Sequence, residues 1–296
     1  MSRHILENEF LQIAVDDAGA ELSRVYDKVL GCERLWNADP AIWNRHAPIL
    51  FPFVGKLTDG KYRVGGKEYP MKTQHGFARD SVFACVEETE NAVTHCLVSS
   101  EATKALYPCD FRLFVRHSLS AAEPRTLLVQ WTVENAGGEE MLFSIGGHPA
   151  FLPPAGAAKE DCFLLFPGKD ELCYIQASPA GYALVNERHR LPLNEGRAAY
   201  QADIPGTWIF EDGQIRKVCL AGPDGKPYVS MDCAQFPMLA VWANPKGPFV
   251  CLEPWFGRTD DEGFAGEIGE KKGIQRLAAG EKREISYAVT FHTPAE

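Results

Sequence analysis

Three side chains stand in backbone contexts that suit proton chemistry: Glu253, His148 and His75. Glu253 follows the apolar run 249–252 and precedes Pro254-Trp255-Phe256-Gly257, so a buried strand would deliver it at its exit. A carboxylate packed among Trp242, Phe249, Trp255 and Phe256 is partly desolvated, which raises its pKa and its basicity. The same aromatic surfaces suit the apolar face of a sugar ring. The competing reading is a strand-end glutamate that accepts hydrogen bonds from nearby backbone N–H groups. His148 lies in Gly146-Gly147-His148-Pro149, where two glycines free the backbone and a proline fixes it directly after the imidazole. His75 lies in Gln74-His75-Gly76-Phe77-Ala78-Arg79-Asp80, again beside a glycine that permits close approach. Imidazole titrates near neutrality and recurs in acid–base chemistry. Each histidine, taken singly, also fits a hydrogen-bonded structural role.

Other chemistries lack their signatures. There is no His-x-His, His-Glu-x-x-His or Cys-x-x-Cys spacing, so the sequence gives little support for a metal site. The glycines of 60–66 do not have the spacing of a nucleotide-binding loop, and Ser144 does not sit in a Gly-x-Ser-x-Gly elbow. His4, His46, His95, His117, His189 and His292 have no comparable backbone context, and His117 reads as a core or solvated histidine on an alternating strand. Lys56, Lys72 and Arg79 flank the first histidine motif, and Lys246 and Arg258 flank the glutamate motif. An arginine there would hold sugar hydroxyls or a phosphate bidentately, whereas a solvated surface charge is the plain alternative. Asp260, Asp261 and Glu262 read as a solvated acidic loop.

The elements that must position these groups are strands. Residues 82–86, 92–98, 111–119 and 126–135 alternate with period two, and further strands are expected at 161–166, 183–185, 208–210, 218–220, 228–232, 238–242, 249–252 and 284–291. Residues 4–15 and 21–26 read as strands around a turn, 60–70 as a hairpin turning at Gly65-Gly66, and 102–106 as a brief helix. A short helical turn is expected after Asp39-Pro40. Pro48 and Pro52 confine residues 47–55 to a sheet edge or a buried irregular segment. No sustained helical period appears, nor the strand–helix alternation of a parallel sheet. The expectation is an all-β, large antiparallel β-sandwich formed by residues 1–296 as one domain.

The 296 residues are 45% hydrophobic and 24% charged, a composition able to bury a sizeable core. A net charge of −10 argues against sequence-independent nucleic-acid binding, which depends on Lys and Arg neutralising phosphates. No apolar run reaches signal-peptide or membrane-spanning length. Nine scattered cysteines form no disulfide-like framework, so a reduced, cytoplasmic protein is expected, without nucleic-acid or membrane partners.

Four motifs in order resemble the aldose 1-epimerase (galactose mutarotase-like) family, and its LacX-like subgroup in particular. They are Ala47-Pro48-Ile49-Leu50-Phe51-Pro52-Phe53-Val54-Gly55, the His75 motif, Gly146-Gly147-His148-Pro149-Ala150-Phe151 and Cys251-Leu252-Glu253-Pro254-Trp255-Phe256-Gly257. The resemblance implies a β-supersandwich with the sugar site on one face of a large sheet, and an isomerase that needs no cofactor or metal. It implies that Glu253 is the base at the C1 hydroxyl, His148 the acid at the ring oxygen, and His75 a second imidazole near that oxygen. Ring opening, rotation about C1–C2 and reclosure would then interconvert the anomers of an aldohexose. Family members often carry an Arg after the apolar Gly segment; here Lys56 follows Gly55, and Arg79 or Lys56 is expected to contact substrate hydroxyls. Asp232 is a loose match to a substrate-holding aspartate, and Trp242 and Trp255 are expected at the sugar. Alternative readings are a hexose-6-phosphate 1-epimerase, with Lys56, Lys72 or Arg79 on the phosphate, or a non-catalytic sugar-binding or regulatory protein. A monomer or homodimer is expected.

Overall fold

In the computed structural model, which describes residues 2–199 and 206–293, strands dominate and every pairing between them is antiparallel. The longest strands are those whose sequences alternate most regularly. Phe111–Leu119 and Thr126–Asn135 pair residue for residue from Phe111↔Asn135 to Leu119↔Leu127. Their odd positions, including Leu113, Val115, Leu127, Val129 and Trp131, are buried, while Arg112, Gln130 and Glu134 turn outward.

Two large sheets carry the architecture. One has nine strands in the order Arg197–Ala199, Phe163–Leu165, Lys217–Ala221, Pro227–Asp232, Lys282–Phe291, Thr126–Asn135, Phe111–Leu119, Ala92–Val98 and Ala84–Glu88. The other runs His189–Pro192, Glu171–Gln176, Trp208–Phe210, Met238–Trp242, Val250–Phe256, Ile145–Gly147 and Ile49–Leu50, with Ala150–Phe151 also on Val250–Phe256. Leu239, Val241, Leu252 and Phe256 from the second sheet share one buried cluster with Val115, Val129, Trp131 and Ile285 from the first. This is the all-β antiparallel sandwich expected from the alternation. A four-stranded meander, Arg3–Glu7 to Cys32–Glu33, is pinned to the first sheet's edge: Phe83 N donates to Asp17 O at 2.8 Å and Gly19 N to Ser81 O at 2.7 Å.

Several local expectations change. Residues 183–185 form no strand; Ala183 makes only isolated bridges to Ala177 and Asp261. The strand at 82–86 lies at Ala84–Glu88, and Glu171–Gln176 and His189–Pro192 are additional. The turn after Asp39 is a single one, its carbonyl accepting from Ile42 N and Trp43 N. Ile49–Leu50 is the edge strand of the second sheet, and Phe51 to Val54 continue as buried irregular chain. Of the acidic run 260–262, Glu262 is exposed and Asp261 partly so, but Asp260 is not solvated: it is buried, pairs with Lys271 at 2.5 Å and accepts from Thr58 N at 2.7 Å.

Val250–Phe256 continues through Pro254, so Glu253 sits in mid-strand opposite Ala240 rather than at a strand exit. The neighbouring chain explains how a proline fits. Ile145 and Gly146 pair with Phe256 and Trp255, and Ala150 and Phe151 pair with Cys251 and Val250, leaving the ladder open opposite 252–254. Pro254, which has no N–H to donate, lies in that opening. His148 and Pro149 are the residues that bow out of the ladder there.

Candidate active site

Period-two alternation divides the side chains of Val250–Phe256. Leu252 and Phe256 enter the core between the sheets, with Phe256 against Phe236 at 5.1 Å between ring centroids. Cys251, Glu253 and Trp255 point to the opposite face. That parity corrects the expectation that Phe256 packs beside the carboxylate: three residues along a strand reverse the face. Trp242 on the adjacent strand and Trp43 from the Asp39 turn enclose His148 instead, at 5.4 and 4.9 Å between centroids.

The glycine beside each histidine is demanded by packing. A Cβ on Gly146 would lie 2.5 Å from Trp255 Cδ1. At Gly76, with φ of +70°, it would lie 2.2 Å from the Phe51 carbonyl oxygen. His75 itself has φ of 67°, a left-handed conformation that costs a non-glycine residue about 1–3 kcal/mol. What holds it is a reciprocal pair: His75 N donates to Gly55 O at 2.7 Å, and Gly55 N donates to His75 Nδ1 at 3.0 Å. With Nδ1 accepting, the neutral ring carries its proton on Nε2.

His75, His148 and Glu253 line one cavity of about 360 Å³ with Trp43, Lys56, Gln74, Arg79, Trp242 and Trp255 among its walls. That volume falls in the range of single-ligand pockets, roughly 300–1,000 Å³. The His75 and His148 rings meet edge to face at 5.7 Å, and His148 Nε2 lies 3.3 Å from Glu253 Oε2. A larger cavity of about 540 Å³ lies elsewhere, but its buried Arg34 is committed to Asp27 and to the carbonyls of His292 and Tyr228.

Burial sets the protonation states. Glu253 is only 1% exposed, and desolvation pushes its carboxyl well above the ordinary range. The Trp255 indole N–H offsets this slightly without reaching hydrogen-bond geometry. Burial pulls His148 down to about 3, with the Arg79 charge adding to the effect, and holds His75 well below its usual value. All three groups therefore resist charge. Glu253 and His148 stand 3.3 Å apart, close enough for a proton to pass between carboxyl and imidazole.

The expected binding residues separate. Arg79 lies in the 3₁₀ turn Ala78–Asp80, mostly buried, with Nε lacking a hydrogen-bond partner and Asp80 no nearer than 3.9 Å. Asp80 is instead engaged by Arg45. Arg79 thus brings a loosely paired guanidinium to the cavity. Lys56 lines the cavity too, but its ammonium donates to Ala180 O at 2.8 Å at the rim. Asp232 does not reach the cavity: it ends Pro227–Asp232 in the other large sheet, exposed, opposite Lys217 and Ala288. Arg258 is buried on Glu211 at 2.8 Å and is structural. Trp43 escaped the sequence reading, because nothing in the alternation marks a loop tryptophan that only tertiary packing brings to His148.

Among the described residues, two groups of ligand-type atoms gather within 4.8 Å of one another: His148, Cys251 and Glu253 at the cavity, and His4, Cys85 and His95 outside its lining. In the first, burial raises the proton affinity of the Cys251 thiol and the Glu253 carboxyl, which opposes the loss of protons that metal binding requires.

The antiparallel β-sandwich is that of a known family. The family model for aldose 1-epimerase matches residues 2–196, which include His75 and His148, and the chain belongs to that family. Over its whole length it is similar to the plasmid-encoded protein LacX of Lactococcus lactis subsp. lactis, 31% identical across 97% of this chain and 98% of that one. A galactose mutarotase related enzyme from Lactobacillus acidophilus superposes with a TM-score of 0.91 at 31% identity, covering 99% of this chain and 98% of that chain. A galactose mutarotase-like protein from Lactobacillus casei gives 0.88 at 31% identity, covering 98% and 100%.

Proposed function

We propose that the protein is an aldose 1-epimerase that interconverts the α and β anomers of an aldohexose. The observation that carries this is the buried Glu253–His148 pair, 3.3 Å apart, with a second imidazole beside it in a cavity of single-ring size. In a cyclic hemiacetal the hydroxyl that loses a proton and the ring oxygen that gains one share a carbon, so acid and base must be neighbours. Glu253 takes the proton from the C1 hydroxyl while His148 gives one to the ring oxygen. The C1–O5 bond breaks to the open-chain aldehyde, and His75 donates Nε2–H to the oxygen that develops charge. Rotation about C1–C2 and reclosure on the other carbonyl face return both protons. General acid–base groups of this kind contribute about 10²–10⁴-fold each. Trp43 and Trp242 offer aromatic faces to the sugar, and Arg79 donates to its hydroxyls. A glycoside hydrolase fits less well, since it uses two carboxylates flanking the bond.

One observation favours a second reading, a hexose-6-phosphate 1-epimerase: Arg79 brings a loosely paired positive charge to the cavity, with Lys56 at its rim. The reading includes a one-domain, reduced, cytoplasmic protein; all nine cysteines are free, and one buried cluster runs from Leu6 to Phe291. No helix among the described residues is long and apolar enough to cross a membrane.

Polarimetry of freshly dissolved α-D-glucose and α-D-galactose, beside glucose 6-phosphate, tests the proposal. Acceleration of the free sugars supports the first reading. Acceleration confined to the phosphate ester, weakened by salt, supports the second. No acceleration of any of the three would leave a sugar-binding protein.

A further inference from the structure

The second group of ligand-type side chains lies where the N-terminal meander meets the edge of the nine-stranded sheet. His4 and Asp17 come from the meander, and Cys85 and His95 from Ala84–Glu88 and Ala92–Val98. One donor atom each of His4, Cys85 and His95 lies within 4.8 Å of the others. Asp17 Oδ1 is 3.0 Å from His4 Nε2 and 3.4 Å from His95 Nε2. Neither ring nitrogen of the fully buried His95 has a hydrogen-bond partner among the described residues. An unpartnered buried polar group costs about 1–3 kcal/mol, so its position calls for a reason.

We propose that His4, Asp17, Cys85 and His95 form a four-coordinate site for a divalent transition metal of the Zn²⁺ class, separate from the sugar cavity. Metal–ligand bonds of 2.0–2.3 Å place the donor atoms of a tetrahedral site roughly 3.3–3.8 Å apart. The His4–Asp17 and His95–Asp17 separations bracket the lower end of that spacing, and small rotations bring in the partly exposed Cys85 thiol. Two imidazoles, a thiolate and a carboxylate favour Zn²⁺ or Co²⁺ over Mg²⁺ or Ca²⁺, which prefer oxygen cages. One thiolate and one carboxylate neutralise the ion's two charges.

The surrounding contacts are those a metal site uses to orient its ligands. His4 Nδ1 lies 2.9 Å from Glu88 Oε2, which fixes a proton on Nδ1, and a bound ion would replace the proton that Nε2 shares with Asp17 Oδ1 at 3.0 Å. Ser2 N donates to Asp17 Oδ2 at 2.6 Å, so Oδ1 is the oxygen turned toward His4 Nε2 and His95 Nε2. The Cys85 S–H, which points to Glu87 O at 3.7 Å, loses its proton to solvent when the metal binds. Binding therefore tightens as pH rises. The ion would clasp the meander to the sheet edge and raise thermal stability.

Co²⁺ titration of the metal-stripped full chain tests the site, independently of any sugar activity. The expected result is one Co²⁺ per chain, with the intense visible absorption of a tetrahedral ion, a near-ultraviolet thiolate band and a raised melting temperature. Zn²⁺ should displace both bands. Cys85→Ser should abolish the thiolate band, and Glu88→Gln should weaken binding by about 10–100-fold through His4. Cys251→Ser should leave the bands intact, which separates this site from the cavity. Absence of saturable binding, or bands that survive Cys85→Ser, would overturn the proposal.

Discussion

Two buried carboxylates near the cavity meet opposite fates. Asp260 is matched by the Lys271 ammonium at 2.5 Å and the Thr58 N–H at 2.7 Å. Glu253, still more deeply buried, faces only neutral rings, one of its oxygens has no hydrogen-bond partner, and its pKa rises. A compensated charge secures the chain: the Asp260–Lys271 pair ties residues near the cavity rim to the loop that follows. An uncompensated one has a raised proton affinity, which suits the acid–base role proposed for Glu253. The contrast also separates the two arginines: Arg258 is held on Glu211 at 2.8 Å, whereas Arg79 has its carboxylate partner Asp80 only at 3.9 Å.

Substitutions should split along that line. His148→Asn is expected to lower mutarotation turnover by about 10²–10⁴-fold, with little change in denaturation midpoint. Equal loss of stability and activity in that variant would erase the contrast. Lys271→Met should do the reverse, destabilising by about 3–5 kcal/mol through the stranded Asp260 charge while folded molecules keep their turnover. Urea denaturation beside polarimetry reads both.

A smaller effect concerns pH. His117, like His148, is held at about 3 by burial, well below its unfolded value of 6.5. A lowered folded pKa means the unfolded chain binds protons first as pH falls. Stability is then full above pH 6.5 and declines progressively as pH falls toward 3. His117→Phe should remove one proton's worth of that slope in thermal melts; an unchanged slope would show that His117 is not held neutral.

How much of this was legible in the sequence follows from the range of each signal. Residues 92–98, 111–119 and 126–135 are strands at the expected bounds, because alternation is local and their cores enforce it. Glu171–Gln176 and His189–Pro192 carry no clean alternation and were missed. His75, His148 and Glu253 were legible because glycine and proline mark the backbone beside them. Asp232 was misplaced because a lone aspartate carries no such mark. Trp43, and the meeting of His4, Asp17, Cys85 and His95, arise from strand packing between distant segments, which no spacing rule encodes.

The most direct test of the central claim, that Glu253 is the base, pairs wild type with Glu253→Gln in polarimetric mutarotation and sugar-binding assays. The amide keeps the shape and cannot take the C1 proton. It also removes a group whose folded pKa is raised, a contribution to stability that is present below about pH 4.5 and lost as pH rises through the folded value, so the variant should melt no lower at neutral pH. The account predicts retained sugar binding with turnover reduced by about 10²–10⁴-fold. Near-normal turnover by Glu253→Gln would contradict it.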